Sequence, residues 1–493
     1  MTENHEKKLG TMALTALVVS AMIGGGVFSL PQNMAQNAAV MPIILAWVIT
    51  GVGIFFIANT FRILSGGCPE NTTGIYSYAR AGFGPFGGFQ MAWAYYLSNI
   101  FGNVGYAVLL MDAFNYFFPG VFTGGNNFWS ILGGSVLIWV MNYAVLRGTH
   151  QAAFINTIGT LFKLFPLFLF IIILIFTFHI GVFTKDMWGQ LSIPSLDLKP
   201  LGSGFDQIKS TMLVTLWAFI GIEGAVVVSG RAKNSKSVGK ATIAGFLICL
   251  VIYTLLSVLP FGRMTQGAIA GLENPSTAPI LESIVGKWGG VLMNLGVIIA
   301  LLTSYLAFTI MIAQIPYAAA MDGTFPKVFR KENIHETPSV SLIVTSCLMQ
   351  LTMIFVYFAG NAWNTMLSVT GIMILPPYLA STAYLWKRCL APDHSKNPFF
   401  SGFFPLFCGI AGSFFALWMI YSAGLKYLLM AFIFQLFGLP VYFWACKERR
   451  EEELRKNKPL TPYLTERELL AAILIVLIAV IAIIVFAAGK VKL

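Results

Sequence analysis

The chain has 493 residues, 57% of them hydrophobic and only 10% charged, with 42 phenylalanines, a composition that excludes a water-soluble globular protein. Its formal net charge of +11 comes without a soluble basic groove interleaved with aromatics, which excludes nucleic acid as a partner and makes the charge a matter of membrane topology. Apolar runs of about twenty residues or more recur along the chain, the length that crosses a bilayer core as helix, so this is an all-α polytopic membrane protein.

In chain order the runs fall at about 11–33, 40–64, 85–118, 128–147, 152–180, 208–230, 239–262, 288–320, 339–359, 362–387, 402–423, 425–446 and 468–488, thirteen in all. About eight polar residues, Lys7 and Lys8 among them, lead directly into the first, which reads as an uncleaved signal anchor. Span 1 contains Ser20-Ala21-Met22-Ile23-Gly24-Gly25-Gly26-Val27-Phe28-Ser29-Leu30-Pro31. Three consecutive glycines break a helix, and backbone freed from helical bonding cannot face lipid, so the break is buried in protein or lines a cavity. Unwinding at Gly24 to Gly26 exposes N–H groups suited to a carboxylate, and carbonyls near Met22 suited to an ammonium, the two parts of an amino acid's head. Close helix packing by small residues is the plainer alternative.

In span 3, Tyr95, Asn99, Gly102, Asn103 and Tyr106 share one helical face. Its two asparagines either bind a polar part of a substrate or link helices to one another. Lys163 lies well inside span 5, where an ammonium needs carbonyls or a carboxylate unless it snorkels to the membrane face. Span 6 repeats the glycine device in Trp217-Ala218-Phe219-Ile220-Gly221-Ile222-Glu223-Gly224. Glu223 is an intramembrane carboxylate, placed to neutralise a cationic substrate, to carry a proton, or only to bond unwound backbone. Trp217, six residues earlier, offers a flat apolar face that also attracts cations. Two glycine-interrupted spans at corresponding places in two halves point to a transporter's substrate site.

Charge orients the bundle. The N-terminus, Arg62 and the loops around Arg80, Arg147, Arg231 to Lys240, Lys327 to Lys331, Lys387 to Lys396 and Lys447 to Arg467 hold 22 of the 31 lysines and arginines. The opposite loops and the C-terminal tip hold eight, so the N-terminus is expected in the cytoplasm. Outer stretches 181–207 and 263–287 and inner stretch 447–467 are the longest outside the membrane, and the last mixes signs as a short solvated helix would. The six cysteines are scattered without disulfide or metal-ligand spacing and are expected as free thiols packed among helices. No nucleophile elbow or metal-ligand pair falls in a span, so an enzyme is not expected, and neither metal nor cofactor is called for.

Ile23-Gly24-Gly25-Gly26-Val27-Phe28, Tyr76-Ser77-Tyr78-Ala79-Arg80-Ala81-Gly82-Phe83-Gly84-Pro85 and Thr215-Leu216-Trp217-Ala218-Phe219-Ile220-Gly221-Ile222-Glu223 resemble the basic amino acid and polyamine antiporters of the amino acid, polyamine and organocation superfamily. Within that group the closest likeness is to bacterial arginine/ornithine antiporters. The resemblance continues through Asp322-Gly323-Thr324-Phe325-Pro326 and Pro376-Pro377-Tyr378-Leu379 and covers the chain to about residue 446.

The resemblance implies a LeuT-type fold of two inverted five-helix repeats, about 11–180 and 208–388, with broken helices 1 and 6. Helices 11 and 12 follow at about 402–446, then a charged cytoplasmic linker at 447–467 and an extra transmembrane helix within 468–493, departing from the usual twelve and putting the C-terminus outside. It implies that Met22, Gly24, Gly25 and Gly26 hold the substrate head with backbone at Trp217 and Ile220, while Ser98, Asn99 and Asn103 line the side-chain pocket with Thr370 opposite. Phe308 would join that pocket, Tyr95, Glu223 and Tyr378 would form an outer gate, and Trp217 would occlude the substrate. Phe308 stands where relatives that exchange arginine for agmatine use tryptophan, and Lys163 where they have a small residue; both departures point away from agmatine. Lys163 resembles a built-in replacement for the sodium ion of sodium-coupled relatives, so no sodium dependence is expected, with a fixed strut and a proton carrier both open. The implied activity is electroneutral exchange of arginine for ornithine, or of related cationic amino acids, by alternating access in the bacterial inner membrane. Proton-coupled uptake is the alternative, and a homodimer is compatible with either.

Overall fold

The computed structural model describes residues 10–68, 75–148, 152–192, 200–224, 233, 235–392 and 397–491. Lys7 and Lys8, the end of span 6 beyond Gly224, the basic residue Arg231, and Lys396 in the loop after Lys387 lie outside the described residues. All regular structure among the described residues is helical.

The first span is broken. Helix α1 (Thr11–Met22) stops at Ile23 and Gly24, a tight turn covers Gly25–Ser29, and α2 (Leu30–Ala35) restarts the helix with Pro31 in its first turn, where proline's missing N–H costs nothing. The two halves meet at 52°. After α3 (Val40–Gly67), α4 runs from Ile75 to Asn115, ten residues earlier than the apolar pattern indicates. Its first turns form a separate helical piece that ends at Gly84, whose φ of 82° favours glycine, before Pro85 starts the spanning part. Polarity hid that piece: Arg80 is bonded to Asp322 at 3.0 Å and Lys387 donates to the Gly82 carbonyl at 2.5 Å.

Next come α5 (Phe128–Leu146), α6 (Ala152–Phe176), α7 (Ile180–Phe183) and α8 (Gly204–Ala218), the last capped by the Ser203 hydroxyl accepting from the Asp206 N–H. Helix α8 stops at the second glycine-containing break. In the second half α9 covers Ser235–Val258, and the stretch 263–287 carries two short helices, α10 (Gln266–Ala270) and α11 (Thr277–Val285). Then follow α12 (Lys287–Met321), α13 (Ser339–Val356), α14 (Ala362–Cys389), α15 (Phe403–Arg455) and α16 (Glu466–Ala487).

Among the described residues nine helices are long and apolar enough to cross a membrane, ten with the bent α1–α2 pair counted as one. Helix α15, 53 residues long, breaks at Gly424 and so accounts for two of the thirteen runs. Helix α4 packs along α14 and α12, and α3 along α9 and α8. The spanning part of α4 is 83% buried inside the protein and that of α16 only 17%, which sets α4 at the centre and α16 at the lipid-facing edge.

Past the membrane α15 continues helical through the charged run to Arg455, where Glu448 accepts the Lys327 N–H at 2.7 Å and Glu452 pairs with Lys327 at 2.6 Å. At the start of α16 Glu468 completes a capping box with Thr465 and accepts the Phe86 N–H at 3.1 Å, so it also caps the spanning part of α4. Five of the six free cysteines are buried as the sequence indicates; Cys347 is exposed on the surface of α13.

Candidate functional site

The breaks in spans 1 and 6 meet. Gly221, with φ of 105°, lies so close to span 1 that a Cβ there would be 3.0 Å from the Ala21 backbone. The amides of Ile23 and Gly24 are satisfied within the break, by Val19 at 2.8 Å and Met22 at 3.0 Å. Gly24 is thereby set apart from Gly25 and Gly26, which open the next turn with no preceding helix to accept from their N–H groups. Each glycine of the run is pressed by a different neighbour. A Cβ would fall 2.2 Å from the Tyr106 hydroxyl at Gly24, 2.1 Å from Leu301 at Gly25 and 1.8 Å from the Trp217 ring at Gly26.

Beside this crossing lies a pocket of about 20 Å³ lined by Met22, Ser98, Asn99, Gly102, Tyr106, Trp217, Ile220, Phe308 and Thr370. That volume admits about one water, so a larger ligand enters only if a wall moves. Ser98 donates to the Thr370 carbonyl at 2.9 Å and Asn99 Nδ2 to the Tyr95 carbonyl at 2.6 Å. Asn99 Oδ1 and Thr370 Oγ1 are buried without a partner among the described residues. Two acceptor oxygens thus stand between the aromatic walls of Tyr106, Trp217 and Phe308. Asn103, one turn further along α4, is not part of this lining; its Nδ2 donates to Thr309 at 3.1 Å and approaches the Met349 sulfur at 3.5 Å, linking α4 to α12 and α13.

The pocket is closed at both ends. At one end Trp217 stands over Gly26 and makes edge contacts with Tyr106 and with Trp363, the latter at 5.2 Å between ring centroids. Trp363 was not legible in the sequence, where a tryptophan at the start of a span looks like any membrane-interface residue. At the other end Glu223, 2% exposed, collects three donors: the Tyr95 hydroxyl at 3.0 Å, the Tyr378 hydroxyl at 2.9 Å and the Gly221 N–H at 3.2 Å. Spans 3, 6 and 10 are tied together there, which is how a buried carboxylate is accommodated.

Beyond this cluster a cavity of about 160 Å³ is lined by Leu17, Ser20, Ala21, Glu223, Ser304 and Met311. Phe308 faces both it and the pocket. Leu17, Ser20 and Ala21 precede the break in α1, so the Glu223 cluster lies on the N-terminal side of the site. With a cytoplasmic N-terminus that is the inner side. The outer gate that the resemblance implies for Tyr95, Glu223 and Tyr378 and the cytoplasmic N-terminus expected from charge therefore do not hold together, and on the latter expectation Trp217 with Trp363 stands at the outer end.

Glu223→Gln keeps the shape but turns an amide NH2 toward donors already present. A hydrogen bond to a charged acceptor contributes about 1.5–3 kcal/mol. The expected result is a transport rate about tenfold lower in reconstituted vesicles, with Tyr95→Phe or Tyr378→Phe each losing less. A wild-type rate for Glu223→Gln would remove the cluster from the mechanism.

Lys163 is fully enclosed at 1% exposure. Its ammonium donates to the Ser20 carbonyl at 2.8 Å and the Ser20 hydroxyl at 3.2 Å. It sits against the last turn of α1, where carbonyls lose their helical partners and the helix dipole is negative. A cation bound there and a lysine held there do the same electrostatic work.

Comparison with known proteins agrees with this architecture. A family described as amino acid permease matches residues 9–439. The chain is 53% identical over 487 residues to a protein of Chlamydia abortus named arginine/agmatine antiporter, covering 99% of this chain and 98% of that one. It is likewise 53% identical over 486 residues to the protein of the same name in Chlamydia pneumoniae, with 99% and 98% covered. A Clostridium perfringens protein named putative amino-acid transporter is 50% identical over 482 residues, 98% of each chain.

Proposed function

The chain belongs to the amino acid permease family, a multi-pass membrane transporter and not an enzyme, and on that premise we propose that it is an antiporter exchanging arginine for agmatine across the bacterial inner membrane. The observation that carries the cationic substrate is the pocket itself. Asn99 Oδ1 and Thr370 Oγ1 are buried acceptors lacking donors, set among three aromatic faces, with the Glu223 carboxylate at the inner end. A guanidinium brings several N–H donors and a charge that aromatic faces attract. The amides of Gly25 and Gly26 suit the carboxylate of arginine, and the carbonyl end of α1 suits the amine that both substrates carry.

Agmatine takes precedence over ornithine because relatives sharing half of all positions over nearly their whole length bear that name. Phe308, although not tryptophan, still gives the pocket an aromatic wall. In this reading the transport unit is the chain to about residue 446, with a cytoplasmic N-terminus and inner linker 447–467.

Charge separates the partners. Arginine carries a net +1, ornithine +1 and agmatine +2 near neutral pH. Vesicles loaded with labelled arginine, facing external arginine, agmatine, ornithine or nothing, are expected to release label only when a cationic substrate is outside. Agmatine should be the fastest external partner, with an exchange rate that responds to an imposed membrane potential. If ornithine is faster and the potential has no effect, ornithine replaces agmatine as the partner. Accumulation of arginine on a proton gradient with nothing inside to exchange overturns antiport in favour of proton-coupled uptake.

A further inference from the structure

Helix α14 serves both ends of the pocket. Tyr378 reaches Glu223 at the inner end, Thr370 lines the pocket, and Trp363 packs on Trp217 at the outer end. These residues span about 22 Å of one helix. The residue after Trp363 does something the closure by tryptophans does not explain. Asn364 Nδ2 donates to Gln36 Oε1 at 2.8 Å. Gln36 follows α2 directly and stays in register with it, its N–H bonded to the Gln32 carbonyl at 2.9 Å, while the Asn364 N–H is held by the Asn361 side chain at 3.0 Å. Both partners are thus fixed at the backbone, and both side chains are half-buried.

On its other side α2 is bonded to the segment carrying α10 and α11. Gln32 Nε2 donates to the Ala270 carbonyl at 3.3 Å and Gln32 Oε1 accepts from Asn274 at 3.1 Å. The Gln32 N–H donates to Ser276 at 3.2 Å, and Gln266 donates to the Ala35 carbonyl at 2.5 Å. Several bonds therefore make α2 and that segment one unit. Among the described residues the side-chain hydrogen bond joining this unit to α14 is Gln36–Asn364.

Trp217 is gripped between the same two elements. A Cβ on Gly26, in the turn leading into α2, would overlap its ring, and Trp363 on α14 packs its other edge. For substrate to pass on this side the indole must leave, which requires the turn and α2 to separate from the first turn of α14. We infer that Gln36 and Asn364 form an outer latch: their bond holds the outer end closed and breaks whenever that end opens. Neither touches substrate, so their influence is on the balance between states.

This inference rests on the alternating-access reading above. Losing one neutral hydrogen bond shifts a two-state balance by about fivefold. In oriented vesicles Asn364→Ala and Gln36→Ala are each expected to lower the KM measured from the outer face relative to that from the inner face by about this factor. Because they remove the same bond, the double variant goes no further. Tyr378→Phe, which loosens the inner end, moves the ratio the opposite way. Cross-linking of Gln36→Cys with Asn364→Cys is expected to stop exchange, and reduction to restore it. Exchange that continues with the ratio unmoved in both alanine variants, or after complete cross-linking, overturns the latch. Absence of exchange in the wild-type protein overturns the transport reading instead.

Discussion

Replacing Gly26 by alanine is expected to lower exchange by at least about 100-fold, although one methyl group is the smallest addition a glycine can receive. The new Cβ would lie 1.8 Å from the nearest ring atom of Trp217 and within 2.8 Å of two more. Real atoms do not approach so closely, so the indole or the turn must move. On the function proposed above the indole, held on its far edge by Tyr106 and Trp363, is the outer lid of the pocket, and the turn carries an amide offered to the substrate. Moving either disorders the site, and overpacking of this kind costs about 1–3 kcal/mol before any loss of substrate contacts is added. Since 1.4 kcal/mol is a factor of ten, clash and lost contact together reach two orders of magnitude. A smaller ring provides the check. If the clash is the cause, Gly26→Ala combined with Trp217→Phe is no worse than Trp217→Phe alone, because the damage was done to the ring already removed. Losses that multiply in the double variant would show that Gly26 acts some other way, and a wild-type rate for the single variant would remove it from the site.

The residues that could be read from the sequence are those that break a rule of membrane helices by themselves. Three glycines in a row, Glu223 and Lys163 each carry a cost that no apolar span tolerates without compensation, and the structure sets the glycines and Glu223 in two packed helix breaks, with Lys163 against the end of α1 beside them. Trp363, Asn364 and Gln36 break no rule. A tryptophan and two amides near span ends suit a membrane interface, and only the folded chain sets them opposite Trp217 and each other. Asn99 and Asn103 mark the resolution of a periodicity argument. Four residues on a helix return to within about 40° of the start, close enough to share a face on paper and far enough that one lines the pocket while the other turns to Thr309 and Met349. The helical piece before Gly84 does not stand out in the apolar pattern because it is short and carries Arg80, Gly82 and the closing Gly84, while in the fold it buries Ile75, Tyr76, Tyr78 and Ala79 and is bonded through Arg80 and Lys387. The side on which Glu223 lies follows from chain direction, since Tyr95 comes before Asn99 on a span that leads outward from the N-terminal side.

Replacing Lys163 by methionine, which keeps length and removes charge, is expected to lower exchange by at least about 100-fold, with sodium adding nothing back. The ammonium holds the Ser20 carbonyl and hydroxyl in the last turn of α1, immediately before the break. Two hydrogen bonds from a charged donor contribute about 1.5–3 kcal/mol each, and a cation at a helix's negative end adds about 0.3–2 kcal/mol. Without it the Ser20 carbonyl and hydroxyl lose the ammonium that faces them, the end of α1 loses its counter-charge, and the half-helix that presents Met22 to the pocket is held less firmly. Lys163 is absent from the pocket lining, so the fault should fall more heavily on the turnover rate than on substrate affinity, whereas the Gly26 variant should damage both. A fixed strut also predicts that wild-type exchange is the same with and without an imposed proton gradient. If Lys163→Met exchanges normally the strut is superfluous. If the variant keeps exchange but loses an accumulation that the wild type drives with protons, the lysine carries the proton, and the protein is coupled to the gradient after all.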